Sequence, residues 1–416
     1  MTAFIRSALG CLAVTLLLNT QAVTAQDSRA PAAEDPPVES ASSTGDRVPV
    51  PPAPEPVDPA ELQAAIDRGV QFLLQSQNRD GSWGSANKIT EIYAPVPGSY
   101  HAFRAAVTGL CVAALVETGG DSAEVRQALE RGEAWLLENL EGVRRADATA
   151  LYNVWAHIYA IEGLTQLLTL APEDAGRQER LRELIRHQIE MLERYASVDG
   201  GWGYYDFRAG TQRPASDSIS FTNAAGLVVL HRAQAAGIDV PARLVERAVA
   251  ATQRQRKPDF SYLYGEYLKM QPMHPINRPA GSLGRSQACN LALRWWGDDK
   301  VTDQVLRDWL NRLIARNLWL DLARKTTIPH ESHAMVAGYF FYFGHYYGGL
   351  CIAELPPAER PFYQDHLAHL LMRLQEPDGS WWDFRLWNYH QQYGTAFALL
   401  TLKQCVKVDS DPPPQP

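Results

Sequence analysis

Between residues 59 and 406, apolar positions recur at intervals of three and four, the period of helices that bury one face. In AIDRGVQFLLQSQ (residues 65–77), Ile66, Val70, Leu73 and Leu74 share one side and charged residues occupy the other. Helices of this kind keep a hydrated face and belong on the outside of a fold. A second kind is apolar nearly all round: AAVTGLCVAAL (105–115), TNAAGLVVL (222–230) and GTAFALLTL (394–402). Such helices are buried on both sides. The two kinds alternate through the intervening chain. LERGEAWLLENL (129–140) precedes NVWAHIYAIEGLTQLLTL (153–170), and LVERAVAATQRQ (244–255) precedes SLGRSQACNLALRWW (282–296). VLRDWLNRLIARN (305–317) precedes HAMVAGYFFYFGHYYGGLCIAEL (333–355). The pattern predicts six hairpins, each an outer helix followed by an inner one.

A short turn punctuates the series. DGSW ends at Trp83, DGGW at Trp202 and DGSW again at Trp381, with spacings of 119 and 179 residues. These are close to two and three multiples of about 60, a period that marks repeat architecture. An open stack of repeats calls for polar capping units at its ends, and neither end of this series has one. The expected fold is therefore all-α: a single α/α toroid of six helical hairpins closed into a ring.

The turn and its preceding helix resemble a known motif. RGVQFLLQSQNRDGSW (68–83) is similar to the QW repeat of squalene and oxidosqualene cyclases, HLLMRLQEPDGSW (369–381) nearly as much, and EMLERYASVDGGW (190–202) in part. The region as a whole resembles the terpenoid cyclase and protein prenyltransferase β-subunit superfamily. The resemblance implies that Gln75, Trp83, Trp202, Gln375 and Trp381 are structural, with glutamine set against tryptophan to tie outer helices to turns. It speaks for fold more than for activity.

The remaining chain adds context. Residues 1–25 read as a secretory signal peptide, with Arg6, an apolar stretch from Ala8 to Leu18 and a small-residue cleavage site at Ala25. The apolar stretch is too short for a membrane span, and no other segment is long enough. Export is the expectation. Residues 26–58, rich in Pro, Ala, Glu and Ser, read as a disordered linker, and 407–416 as a disordered tail. A net charge of −8 with dispersed Lys and Arg gives no basic stripe for nucleic acid. Cys111, Cys289, Cys351 and Cys405 lie apart in apolar helical contexts and read as small buried residues.

In a ring of this kind the inner helices start at one rim, so functional residues are expected at or near those starts. Class II terpene cyclases, within the resembled superfamily, protonate an alkene with a D-x-D-D-T-A sequence there. The corresponding positions before TNAAGLVVL and GTAFALLTL carry no acid. Asp217, slightly upstream, is either a displaced acid or a helix N-cap. Protein prenyltransferases hold zinc with Asp, Cys and His. His390 resembles the histidine of that set, but no D-x-C is present.

His330, Glu331 and His333 open the fifth inner helix, His101 the first and His390 the sixth. If helical, His330 and His333 share a face and are candidate ligands for a divalent metal. On a ring these histidines form one sector, suited to metal or acid–base work. The alternative is that each is bonded separately to backbone or water. Tyr339, Tyr342, Tyr389, Tyr393 and Arg285 are candidate ligand-binding residues, and Asn277 and Arg285 read mainly as a solvated loop. Aromatic residues 339–347 serve either packing or the stacking of a ligand. The ligand classes compatible with this pattern are a hydrophobic small molecule or a polysaccharide. The favoured function is ligand binding or interaction without cyclase or prenyltransferase chemistry. The alternatives are a lyase or hydrolase using the histidines, and an atypical cyclase using Asp217.

Overall fold

The computed structural model describes residues 48–84, 97–143, 153–203, 218–330, 334–385 and 388–407. The outer helices of the six hairpins are α1 (Pro59–Ser76), α3 (Ala123–Asn139), α5 (Ala175–Tyr195), α7 (Ala242–Gln255), α9 (Asp303–Ala315) with the short α10 (Asn317–Ala323), and α12 (Arg360–Met372). The inner helices are α2 (Pro97–Thr118), α4 (Asn153–Leu167), α6 (Ser220–Ala235), α8 (Ser286–Trp295), α11 (Phe340–Ala353) and α13 (His390–Cys405). Each inner helix packs on the next, and α13 returns to α2, so the inner ring is closed. Among the described residues there is no strand, only two isolated bridges. The fold is the all-α toroid that the alternation of apolar patterns predicts.

Side-chain volume sets the approach of neighbouring inner helices. A Cβ on Gly109 of α2 would stand 2.2 Å from the Tyr159 carbonyl of α4, and one on Gly163 would stand 2.4 Å from the Gly109 carbonyl. Only glycine allows the two backbones to meet there. Outer helices start on side-chain caps: Asp58, Ser122, Asp174 and Thr302 each accept from a backbone N–H of the first turn.

The recurrent turn explains how outer and inner layers are joined. The indole Nε1 of Trp83 donates to Leu73 O, that of Trp202 to Leu192 O and that of Trp381 to Leu371 O, each at 2.8 Å. Each tryptophan therefore closes the end of its own outer helix. Its backbone N–H donates to a side chain of the following inner helix: Thr108 Oγ1, Asn223 Oδ1 and Thr395 Oγ1 respectively. Gly81, Gly200 and Gly379 hold φ of 92°, 98° and 86° in these turns. A Cβ at each would strike the carbonyl of Arg131, Arg247 or Arg68 on the next outer helix.

The glutamine acts differently from the expectation. Gln375 does not bond the tryptophan; its Nε2 donates to Gly379 O and to Ala65 O of α1, and its Oε1 accepts from Arg68. In the first copy the matching residue is Gln77, which donates to Gly81 O and to Ala128 O of α3 and accepts from Arg131. Gln75 is exposed. The glutamine thus binds the turn to the next outer helix, and through Gln375 the last hairpin is fastened to the first. In the Trp202 copy, Ala196 stands in the glutamine position, and Arg247 donates directly to the carbonyls of Ser197 and Val198.

A fourth copy lies at Asp259–Tyr262. Asp259 accepts from Ser261 as Asp80 does from Ser82 and Asp378 from Ser380. Phe260 occupies the glycine position at φ 60°, and the N–H of Tyr262 donates to Ser282 Oγ.

The segment ahead of α1, grouped by composition with the linker, packs on α12 through Pro52, Glu55 and Val57. His366 and His369 of α12 contact the carbonyls of Pro52 and Glu55, and the Val57 N–H donates to Asp365 Oδ1. Residues 1–47, with the expected signal peptide, and residues 408–416 lie outside the described residues. Cys111, Cys289, Cys351 and Cys405 are buried free thiols.

Candidate functional site: an aromatic cavity at the rim of the ring

The N-terminal ends of the inner helices enclose a cavity of about 470 Å³. Phe103, Val107 and Leu110 of α2, Trp155 and Tyr159 of α4 and Phe221 of α6 form one side. Phe340 and Phe343 of α11 and Tyr393 and Phe397 of α13 form the other. The aromatic rings pack largely edge to face, as between Phe221 and Phe340 (4.8 Å) and between Tyr159 and Phe397 (5.6 Å). Among the described residues, two loops cover the rim. The loop between α7 and α8 contributes Tyr264, Tyr267, Leu268, His274 and Ile276, and the loop between α10 and α11 contributes Pro329, His330, Met335 and Tyr339. In the loop between α7 and α8, Tyr267, Met270 and Met273 are 51%, 85% and 67% exposed.

The far end of the ring is closed by polar groups. Glu162 of α4 pairs with Arg232 of α6, and the Tyr346 hydroxyl of α11 donates to Glu162 while accepting from Arg232. Glu162 is 2% exposed. Gln166 of α4 donates to Glu117 of α2 beside this group.

The predicted residues fall in different places. His330 lines the cavity, but not from a helix. Pro329 precedes it, its φ is 64°, and α11 starts only at Phe340. Its Nδ1 lies 2.7 Å from Met335 O and its Nε2 3.0 Å from the Tyr339 hydroxyl. Burial, with Arg285 and His274 nearby, holds its pKa below the usual imidazole value.

His101 and His390 do not join it. His101 Nε2 contacts Asn139 O at the end of α3, with its ring against Trp135. His390 packs edge-on to Trp382. Both face the wall of the ring and not its axis, because one helical residue turns a side chain by about 100°. The four-histidine sector is therefore not assembled by His101 and His390. Glu331, His333 and Asp217 lie outside the described residues. Among the described residues, no three His, Cys, Asp or Glu side chains gather as a metal site.

Of the aromatic candidates, Tyr339 and Tyr393 line the cavity. Tyr342 is buried in the wall behind it, and the Tyr389 hydroxyl donates to Tyr100 O. Of the aromatic run, Tyr339, Phe340 and Phe343 serve the cavity, while Phe341, Tyr342, Tyr346 and Tyr347 serve packing. Arg285 and Asn277 are wholly buried and do not form a solvated loop. The guanidinium of Arg285 donates to the carbonyls of Gly281, Tyr262 and Ile276 and sits behind the rings of Tyr264 (5.6 Å) and Phe340 (6.0 Å). Asn277 accepts from Tyr264 N and donates to Gln271 O. Together they brace the covering loop.

One group escaped sequence reasoning. Asp383, two residues past Trp381, is fully buried beside the cavity wall. It accepts from Tyr342 N–H at 3.1 Å and from the Tyr393 hydroxyl at 2.8 Å. Burial raises its pKa to about 7 against these bonds and the nearby Arg324. The available signal was an acid directly after an aromatic turn that faces the inner helices.

No known family profile matches the chain, and no curated protein matches it in sequence. Solved structures do resemble it. A UGL variant with dGlcA-Glc-Rha-Glc is 14% identical with a TM-score of 0.54, over 82% of this chain and 95% of that one. The type II terpene cyclase MstE from Scytonema is 13% identical with a TM-score of 0.48, over 83% and 98% of the two chains. The GH76A alpha-1,6-mannanase from Salegentibacter is 11% identical with a TM-score of 0.49, over 82% and 98%. At such identities the likeness is one of fold, the α/α toroid. Among the described residues, no helix is long and apolar enough to cross a membrane.

Proposed function

We propose that the chain is an exported toroid protein that binds an apolar, isoprenoid-like small molecule in its central cavity. The observation that carries this reading is the lining: aromatic and aliphatic side chains from five inner helices converge on about 470 Å³. That volume lies within the range of small-ligand sites, and burial of apolar surface supplies the driving force. Among the described residues of these walls a polysaccharide would meet few hydrogen-bonding partners, and its hydroxyls would lose water without replacement. Tyr267, half exposed, also lines the cavity and gives an apolar ligand a contact near the surface. Export rests on the signal-like residues 1–25.

The test is organic extraction of the purified protein followed by mass spectrometry, with isoprenoid titrations read by quenching of intrinsic tryptophan fluorescence, to which Trp155 in the wall contributes. Ala106 of α2 also lines the chamber, and an Ala106→Phe variant, which fills it, is expected to lose the extracted ligand and the quenching. Equal quenching by the variant, or affinity for oligosaccharides alone, would refute the proposal.

A second reading has one observation in its favour. Asp383 holds a proton near neutral pH and touches the cavity residue Tyr393. That is suited to proton chemistry at the wall. Turnover of a bound ligand that is lost in Asp383→Asn would favour it over binding alone.

A further inference from the structure

The apolar side chains that the fold leaves in water are not spread evenly. Ten large ones are exposed among the described residues, and seven of them belong to two neighbouring segments. Tyr267, Met270 and Met273 stand on the loop between α7 and α8. Leu318, Trp319 and Leu322 of α10, with Ile328 just beyond it, form the second group. Leu318 and Leu322 are one turn apart and share a face of that helix. Both segments join an outer helix to the next inner one, at the rim that carries the chamber. They also touch each other. The rings of Tyr264 and His330 meet at 5.4 Å, and a Cβ on Gly281 would stand 2.7 Å from Ala334 O. Exposed apolar residues gathered in this way mark a contact surface.

Charge and rigidity say what kind of partner fits. The chain carries a net charge of −8, yet residues 267–284 hold Lys269 and Arg278 and no acid. Both cations are exposed. Around α10, Arg324 pairs with Asp321 and Lys325 with Glu376, and Arg316 adds a further cation. The sector is therefore apolar and basic on an acidic protein. Its longer loop is also braced from below. Buried Arg285 and Asn277 hold it through backbone carbonyls and amides, and Lys257 donates to Asn277 O. Side chains on a braced loop lose little backbone entropy when a partner covers them. A protein partner would need a concavity shaped for each projecting methionine, whereas a layer of lipid headgroups deforms around them.

We infer that this sector of the rim docks on an anionic lipid bilayer. Met270, Met273, Leu318 and Leu322 enter the boundary between headgroups and acyl chains, while Lys269 and Arg278 meet lipid phosphates. The docking is peripheral, in keeping with the lack, among the described residues, of any helix able to cross a membrane. It does not depend on what the chamber holds.

The experiment is co-sedimentation of the purified full chain with vesicles of phosphatidylcholine, alone or with about one-third phosphatidylglycerol. The mixed vesicles should bind it more tightly, and added salt should weaken that binding. Met270→Ser with Met273→Ser, and separately Leu318→Ser with Leu322→Ser, should each lower the partition coefficient roughly tenfold, because buried apolar area supplies the adhesion. Lys269→Gln should cut the preference for the anionic vesicles about fivefold. Val406→Ser, past the C-terminal end of α13 and so at the opposite end of the ring, should change neither. A local readout separates the rim from residues 1–47. In a Cys11→Ser background, a polarity-sensitive dye on Met270→Cys should shift to the blue with the mixed vesicles, and one on Val406→Cys should not; the other four cysteines are buried. A silent dye at position 270, equal binding to both vesicles, or either serine pair binding as tightly as the unaltered protein would overturn the inference. A rim that ignores both vesicles is left to a protein partner, and the inference falls. Ligand extraction tests the chamber alone, so each reading can fail without the other.

Discussion

The two ends of the inner ring are built from the same helices and are opposites. At the N-terminal rim, α2, α4, α6, α11 and α13 turn aromatic rings toward an open chamber. A few turns further on, α4, α6 and α11 turn Glu162, Arg232 and Tyr346 toward each other and close the axis. Charge plugs one end because a paired, hydrogen-bonded carboxylate and guanidinium can share a buried site. The other end stays open because large rings meeting edge to face leave space at the centre. The closed end and the open chamber are thereby separated along one axis.

Breaking the closed end should cost the most. Glu162→Ala leaves Arg232 and Tyr346 without their acceptor, and loss of one partner of a buried pair costs on the order of 3–5 kcal/mol. Chemical denaturation should show that loss, and a change below about 1 kcal/mol would mean that the pair is merely a surface contact.

A smaller effect sharpens the contrast from the open end, whose wall holds the carboxyl of Asp383. Its folded pKa of about 7 lies above its ordinary value of 3.8. Between those values the folded state holds a proton that the unfolded state has lost, so this group's contribution to stability falls as pH rises from about 4 to about 7. Buried His157 and His345 act oppositely. Desolvation lowers both from 6.5 to about 4, so their contribution is complete above 6.5 and is lost on acidification toward 4. Melting curves across pH 4–7 should therefore decline more steeply on the acid side in Asp383→Asn than in the unaltered protein. Equal slopes would show that Asp383 is ionised throughout.

The smallest stability effect belongs to the chamber lining. Phe103→Ala removes a ring that already borders open space, so its cost should fall below the roughly 3–5 kcal/mol of a close-packed phenylalanine. Ligand affinity should drop by about tenfold, the loss of one well-placed aromatic contact. Comparable losses in stability and in binding would indicate that the chamber collapses onto the ring when empty.

The toroid was legible because its cause is periodic. Alternation of one-faced and all-apolar helices survives in every hairpin, and three tryptophan turns mark the beat. The fourth turn was illegible because Phe260 takes the left-handed position of glycine and Tyr262 replaces tryptophan, so only the hydrogen bonds betray it. Gln77 was missed for Gln75 because the glutamine's partners belong to the next outer helix, which no local pattern reveals. The site was read less well than the fold. His330 was found by type, but rotation about each helix axis sent His101 and His390 into the wall. Asp383 shows in sequence only as an acid just after a tryptophan turn, and its unusual proton affinity comes from burial, which the sequence does not display.

Closure of the ring has a topological consequence. The backbone of Val57 and the ammonium of Lys407 meet on the same carboxylate, Asp365, so the chain enters and leaves the ring of hairpins at one point. A short peptide joining entry and exit would add little, and the order in which the hairpins are synthesised becomes arbitrary. A circular permutant opened in a surface connection, such as that between α8 and α9, should rebuild the same chamber from a differently ordered gene.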